Sequence, residues 1–364
     1  MPRRDRPTGH CDLSIVIVSY NTRELLRACL ASLPAACGRL DHEVVVVDND
    51  SADGSAEMVR REFPEVRVLD DHGNVGFARA NNLGFEHCRG GFVLCLNPDT
   101  VSHPGSIETL VEAMREDPTV GYSGPKLLND DGTHQWSAYR FHTLLSPFFS
   151  WSMLGLDGRF PNSRHCMSLH HAHGADIAID AEWLLGAALL VRREALEQCG
   201  GYDEGFFLYG EEVEWCQRLA RGDWRGRYEP TATITHIRSA STSHLEDSDC
   251  FLGHDPALLV RAHRRLGRVT HGVAGMVLQQ GLHAFGMSLA YLRNAWPFRD
   301  RSPAKARAAR LWIAYLLHPA PNSPKARAVA ALAKTPSRTK SRPSRHRRGP
   351  APVSVPTREL AGSS

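Results

Sequence analysis

Three common signatures of nucleotide or nucleophile chemistry are missing from this 364-residue sequence. No G-x-G-x-x-G follows the first apolar run, which disfavours a dinucleotide dehydrogenase, and no G-x-x-x-x-G-K-[ST] is present, which disfavours a P-loop enzyme. No G-x-S-x-G elbow appears either. The nine cysteines include no C-x-x-C pair. Cys29, Cys88, Cys95 and Cys216 fall inside apolar or periodic segments and read as small buried hydrophobes. Residues 1–8 are polar and basic with no apolar stretch behind them, so a signal peptide is not expected and a reducing, cytoplasmic compartment is. No run of 18 or more apolar residues exists, which argues against a spanning helix.

Acidity is scarce toward the C-terminal end. Residues 301–364 hold 14 Lys and Arg against the single acid Glu359, a local net of +13 inside a chain of net charge +3. The body is therefore acidic and the tail basic. Such a tail fits an anionic partner, membrane phosphate headgroups and nucleic acid both being candidates, or else a solvated segment with no partner. No specific nucleic-acid partner is expected. At 42 % hydrophobic and 23 % charged residues, the remainder is ordinary for a globular protein.

The pattern along the chain is strand then helix, repeatedly. Residues 13–19 (LSIVIVS), 43–47 (EVVVV), 66–69 and 92–96 (FVLCL) read as strands. Helices are expected at 23–33, with Pro34 ending the first, and at 55–62, 77–88 and 104–116. Continuous rather than alternating apolar strands imply burial on both faces. The fold class that follows is α/β, a mainly parallel doubly wound sheet. Ligands of such sheets bind outside the carboxyl ends of the strands. Three of the runs end in Ser19-Tyr20-Asn21, Asp48-Asn49-Asp50 and Asn97-Pro98-Asp99, so these polar clusters should converge on one crevice. Residues 121–173 read as a loop-rich aromatic insertion or lid. A helix at 193–198, another at 211–221 and a late strand at 231–237 follow.

Residues 269–292 carry no charge. Val273, Met276, Phe285, Leu289 and Leu292 share one helical face, and Arg293, Trp296, Arg299 and Arg301 follow, with an apolar patch at 311–317. An interfacial amphipathic helix fits, and so does a helical hairpin packed on the preceding domain. Beyond about Ser323 the composition reads as disordered.

Each polar cluster carries two readings. Asp48 ends a fully apolar strand, where its carboxylate can accept a hydrogen bond from a nucleotide base; helix capping by its neighbours Asp50, Ser51 or Asp53 is the bland alternative. Asp99, after Asn97-Pro98, can ligate a hard divalent cation, although N-P-D is also a plain turn. Glu211, Glu212 and Glu214 occupy the first turn of a helix, where the macrodipole favours the ionised form. One of them can serve as general base, or all three merely compensate the dipole. The histidines of 165–173 (HCMSLHHAH) offer donors enough for zinc, but their irregular spacing fits a solvated or lid segment better.

Six segments in order then carry a resemblance: SIVIVSYN at 14–21, EVVVVDNDS at 43–51, NVGFARANNLG at 74–84, LCLNPDT at 94–100, EWLLGAALLV at 182–191 and FFLYGEEVEWCQRL at 206–219. Over about residues 13–243 the chain resembles a family 2 glycosyltransferase of GT-A fold, near the rhamnosyltransferase-like branch. The resemblance implies an inverting enzyme that moves a sugar from a nucleotide-diphosphate donor, dTDP-rhamnose or a UDP-sugar, to an acceptor hydroxyl; the apolar and basic residues of 269–348 point to a glycan or lipid-linked acceptor at the inner face of the cytoplasmic membrane. It implies that Ser19, Tyr20, Asn21, Asp48 and Asp50 line the nucleotide pocket, with Arg79 and Asn82 close to the donor. Asp99 matches the last Asp of the family's D-x-D motif, whose first Asp is Asn97 here. Mg2+ or Mn2+ would sit on Asp99, with His236 of THIRSAST completing the site. Glu212 matches the second acid of the family's E-D pair, the usual base. It is one methylene longer than the Asp of the pattern, and Glu211 is the substitute. The division implied is a flexible start at 1–10, the GT-A domain at 11–265, a helical, membrane-associating region at 266–320 and a basic disordered tail at 321–364. Two other classes compete: a catalytically silent nucleotide-sugar-binding scaffold, against which the retained acids argue, and a nucleotidyltransferase, which would show a Gly-rich loop after the first strand.

Overall fold

The computed structural model describes residues 11–151, 154–237 and 256–295, together with 309, 310, 313 and 316. The expected starting segment 1–10, the anchors Trp296, Arg299 and Arg301 and the tail from 321 lie outside them.

The first half builds as the periodicity demands. Strand β1 (Leu13–Ser19) leads to helix α1 (Arg23–Cys37), β2 (His42–Asp48) to α2 (Ser55–Glu62), β3 (Arg67–Leu69) to α3 (Phe77–Phe85), and β4 (Phe92–Leu96) with the short β5 (Thr100–Ser102) to α4 (Ser106–Glu116). The strands β3, β2, β1 and β4 lie side by side and parallel. Alternate residues of β1 feed opposite cores. Leu13, Ile15 and Ile17 pack with Leu26, Leu30, Met58 and Leu110 of α1, α2 and α4, whereas Val16 and Val18 pack with Ala78 and Phe85 of α3. Two buried faces explain why these strands read as unbroken apolar runs.

The second half departs from the expectation of a lid. Residues 121–173 contain β6 (Val120–Leu128), a buried strand of the central sheet, then β7 (His134–Gln135), β8 (Ala138–Tyr139) and the short helices α5 (Ser146–Trp151), α6 (Leu156–Arg159) and α7 (His170–His173). Gly121, Ser123, Gly124, Pro125 and Lys126 break the apolar run of β6, and so hid it. Then come β9 (Ile179–Asp180), β10 (Trp183–Leu184), β11 (Ala188–Arg192), α8 (Arg193–Cys199), α9 (Glu211–Arg221) and β12 (Arg225–His236). The sheet order is β3-β2-β1-β4-β11-β6-β12-β5, with β7 on β6 and β9 on β12. It turns mixed where β11 runs antiparallel to both β4 and β6. Helices α8 and α9 share the core of α3. The sheet is thus covered on both sides.

Pro34 does not end α1, which runs on to Cys37. Leu33, Ala36 and Cys37 are buried in the core, and that burial outweighs the one backbone hydrogen bond proline removes. The eight cysteines among the described residues are free, and all but Cys199 are buried. Burial raises the thiols of Cys29 and Cys37 to about 12.

The uncharged C-terminal segment forms α10 (Pro256–Ala295), interrupted at Gly272 by a non-helical φ of 71° and ψ of −179°. Its two arms fold back on one another. His263 and His283 approach to 6.3 Å between ring centroids, and Val260 shares a buried cluster with Ala284, Met287 and Ala290. In a straight helix 20 residues would separate such rings by about 30 Å. The hairpin is fixed to the domain by Gln279, which donates to the Thr143 carbonyl at 3.2 Å, and by Arg265, which forks onto Asp203 at 2.7 and 3.0 Å. Met276 and Leu289 are half-buried, so the exposed apolar face of the second arm is made by Val273, Val277, Leu278, Phe285 and Leu292. No helix among the described residues is long and apolar enough to cross a membrane.

The seating of α3 on β1 depends on Gly84, where a Cβ would overlap the Val16 side chain. Gly84→Ala should destabilise the protein by about 1–3 kcal/mol, read as a lowered denaturant midpoint at unchanged slope. Gly158→Ala, whose added carbon meets nothing within 4 Å, is the control that should leave the midpoint in place.

Candidate active site

Parallel register brings the polar strand ends to one rim. Ser19 lies opposite Asp48, and Ile17 opposite Leu96. Asp48 and Asn97 are therefore two strand spacings apart, about 10 Å. Asp48 is 4 % exposed. Its Oδ1 accepts the Ser51 N–H at 2.8 Å, while its Oδ2 is buried without a hydrogen-bond partner. Burial raises its carboxyl above the usual range, against the pull of the Ser51 N–H. Capping accounts for one oxygen only; the other is available to a ligand's N–H.

The neighbours of Asp48 divide between scaffold and surface. Ser19 is fully buried, its Oγ 3.0 Å from Thr22 Oγ1. Asn21 adopts φ 52°, receives the Ala52 N–H on Oδ1 and donates its own N–H to Ser51 Oγ. It ties the β1 loop to the β2 loop. Asp50 sits at φ 74° with an exposed side chain, and Tyr20 is exposed at the rim. Asn49, which the sequence did not single out, holds the next loop through Asn74 Oδ1 and the Val75 N–H, both at 3.0 Å.

Arg79 and Asn82 extend from α3. Arg79 pairs with Glu204 at 3.9 Å, both exposed. Asn82 gives its amide to the turn before α9: Nδ2 donates to the Tyr202 carbonyl and Oδ1 accepts the Tyr202 N–H, at 2.9 and 2.8 Å. Its role in this geometry is to position α9. Gly76 completes the junction. Its φ is 86°, and a Cβ there would press on Phe207, whose carbonyl accepts the Phe77 N–H at 2.7 Å.

Asp99 and His236, far apart in sequence, meet at the end of β12. Asp99 Oδ1 lies 3.4 Å from His236 Nε2, and Asp99 is 5 % exposed. Gln135 Nε2 donates to Asn129 Oδ1 at 3.3 Å, which turns its Oε1 toward His236 Nδ1 at 2.8 Å. An acceptor there puts the imidazole proton on Nδ1 and leaves the Nε2 lone pair facing a carboxylate oxygen that has no hydrogen-bond partner. Two lone pairs in that relation would suit a divalent cation. Asn97 Oδ1 is a further buried oxygen without a partner. Gln135 sits in a stretch, THQW, that gave no warning of this role.

The glutamates of α9 separate by task. Glu214 is clamped by Arg218 at 2.7 and 3.0 Å, and the same guanidinium donates to the carbonyls of Cys199 and Gly201, both at 2.6 Å. Glu211 is 4 % exposed, with Oε2 buried and unpartnered. Glu212 is half-buried; its Oε2 accepts the Gly210 N–H at 3.1 Å. Burial raises both carboxyls, and the charge of Glu212 pushes Glu211 further, well above the carboxylate range. The helix terminus was expected to favour the ionised forms. Backbone N–H groups do act in that direction on Glu212, but desolvation is the larger effect. Glu212 meets the segment that leads to Asp99 through two residues: its Cβ lies 3.5 Å from where a Gly186 Cβ would be, and the Ala187 carbonyl accepts the Asn97 N–H at 2.9 Å.

Among the 165–173 histidines, buried His170 accepts the N–H groups of Ser137 and Ala138 on Nε2 and donates from Nδ1 to the Gly174 carbonyl. Its part is structural.

The sheet gathers acids at its strand ends and on the helix beside them, the place where α/β sheets bind ligands. Residues 14–177 match the glycosyl transferase family 2 model. An N-acetylglucosaminyl-diphospho-decaprenol L-rhamnosyltransferase of Mycobacterium tuberculosis is 31 % identical over 275 residues, covering 70 % of this chain and 81 % of the relative. Rhamnosyltransferase WbbL of Escherichia coli is 23 % identical over 276 residues, 71 % of this chain and 98 % of the relative. The solved mannosyltransferase PcManGT from Pyrobaculum calidifontis, in complex with GDP-Man and Mn2+, aligns at TM-score 0.49 and 17 % identity over 89 % of this chain and 87 % of that one. The chain belongs to glycosyltransferase family 2. It is a glycosyltransferase of the rhamnosyltransferase-like kind.

The raised carboxyl of Glu211 has a consequence for stability. The folded state binds that proton more tightly than the unfolded chain, whose value is about 4.3, so stability falls as pH rises from there toward the folded value. Glu211→Gln should remove this decline. The Tm difference, variant minus wild type, should grow between about pH 5 and pH 7; a difference that is constant with pH would contradict the assignment.

Proposed function

We propose that this glycosyltransferase is an inverting, divalent-cation-dependent hexosyltransferase. It takes a sugar, rhamnose in the first instance, from a dTDP- or UDP-linked donor and transfers it to a hydroxyl of a lipid-linked glycan. The observation that carries this reading is the short bridge between Asp99/His236 and Glu212, formed by Asn97, Ala187 and Gly186. A site for the leaving diphosphate and a carboxylate for the attacking hydroxyl then lie on either side of one reaction centre.

Asp48 Oδ2 receives the base N–H of the donor, and Ser19 to Asn21 with Asp50 frame the nucleoside. Asp99 and His236 would hold the cation, Mg2+ or Mn2+, which would neutralise the charge that builds on a departing diphosphate. Glu212 accepts the proton of the acceptor hydroxyl as its oxygen bonds to the anomeric carbon and the bond to the diphosphate breaks. A single displacement with a single base inverts that carbon. A raised carboxyl pKa makes Glu212 a stronger base than an exposed glutamate. Two variants test the scheme together. Glu212→Gln should bind donor normally by calorimetry while transfer falls by about 10²–10⁴-fold, and the acid limb of kcat/KM, placed above the usual value of about 4.3, should vanish. Asp99→Asn should lose metal-dependent donor binding. Normal turnover by the first, or an unaltered metal titration by the second, overturns the corresponding role.

The diphospho-decaprenol acceptor named for the mycobacterial relative and the hairpin together support work at the inner face of the cytoplasmic membrane. Val277 and Leu278 are 58 % and 53 % exposed on a face without charge. Exposed Arg268 and Arg293 flank it, and the strongly basic tail follows. That combination fits an anionic bilayer. The full chain should float with vesicles containing anionic lipid. Val277→Asp with Leu278→Asp should leave it at the bottom of the gradient; flotation unchanged by the pair would refute this docking face.

A further inference from the structure

A second cleft, of about 590 Å3, opens between residues 140–145, residues 164–165 and the bend of the hairpin at His271. None of the donor-site residues lines it. Its polar side is cationic. Arg140 and Arg164 face one carboxylate, Glu182, which already accepts the Phe141 N–H. Arg140 spends one N–H on the Cys166 carbonyl at 3.2 Å, and exposed Arg164 makes no ion pair among the described residues. Guanidinium forks of this kind match phosphate oxygens. The other side is apolar, made by Phe141, Leu144 and Leu145. The apolar strip continues onto α5, where Phe148 stacks on Phe285 of the hairpin's exposed face at 6.0 Å and 14°.

The position of this cleft relative to the base is also informative. Glu182 and Gly186 are four residues apart, at most about 14 Å of extended chain, and Gly186 abuts Glu212. The cleft therefore lies one short segment of chain from the residue that abuts the base. A cationic head site opening onto an apolar strip that leads to the membrane-facing helix has the chemistry of an amphiphile with a phosphate head and a hydrocarbon tail.

We infer that this cleft binds the diphosphate and first isoprene units of a polyprenyl-diphosphate-linked acceptor, with Arg140 and Arg164 on the phosphates and Leu144, Leu145 and Phe148 along the chain. The inference rests on the proposed transfer to a lipid-linked glycan. It is tested with farnesyl diphosphate, inorganic pyrophosphate and farnesol as probes of the full chain, followed by Trp fluorescence in saturating dTDP and Mn2+. Farnesyl diphosphate should bind with dTDP present and more tightly than either fragment. Arg164→Glu should weaken it about ten- to hundredfold, and Arg140→Lys, which keeps the charge but not the fork, should weaken it as well. Leu145→Asp should weaken farnesyl diphosphate but not pyrophosphate. Displacement of farnesyl diphosphate by dTDP, or equal affinity in the wild type and Arg164→Glu, overturns the cleft assignment. Donor calorimetry on the same samples separates the two ideas: intact donor binding with no binding of farnesyl diphosphate defeats the cleft alone, whereas absence of both defeats the transferase scheme on which it rests.

Discussion

The pairing of β1 with β2 and β4 sets everything at the rim. Because side chains alternate faces along a strand, a slip of one residue would turn Asp48 away from the crevice and send Val47 toward it. The slip is resisted by two cores at once, since odd and even residues of β1 are packed on opposite sides of the sheet. A carboxylate can be kept dry at a strand end only where its position is that firmly fixed. Asp48 is such a group, and Asp99, two strands over, is another.

Desolvation dominates the electrostatics that follow. The acids at this rim are retained with few protein partners: Asp48, Asp99 and Glu211 each keep one oxygen unbonded. Unpaired buried carboxylates are costly in a finished fold, and three in one crevice make sense where ligands complete them. Glu214, by contrast, is satisfied by Arg218 and contributes only to seating α9. Adjacent members of one acidic turn therefore follow different rules, according to which side of the helix each occupies.

The parallel half of the sheet was legible because its signals are local. Apolar runs, capping residues and strand-end acids sit next to one another in the chain, and α2 and α9 fall where periodicity placed them. Strand β6 was not legible, since Gly, Ser, Pro and Lys interrupt it and its burial comes from neighbours distant in sequence. The continuation of α1 past Pro34 was hidden for the same reason. At the candidate site, the strand-end positions of Asp48 and Asp99 and the acidic helix start at Glu211 and Glu212 were legible, whereas His236 entered only through the resemblance. Gln135, Asn49 and Arg218 were not legible, because orienting a partner leaves no trace in spacing. The rise of the Glu211 and Glu212 carboxyls ran against a local rule, which counts the helix terminus but not the packing around it.

The ion pair between Asp203 and Arg265 joins the turn that introduces α9 to the first arm of the hairpin. The same turn is held by Asn82 on its other side. Whatever shifts the hairpin therefore pulls on the segment that seats the carboxylate of Glu212. The hairpin and the helix that carries Glu212 are mechanically joined, and a chimera that exchanged the C-terminal helices for those of a relative would strain this turn unless positions 203 and 265 travelled together.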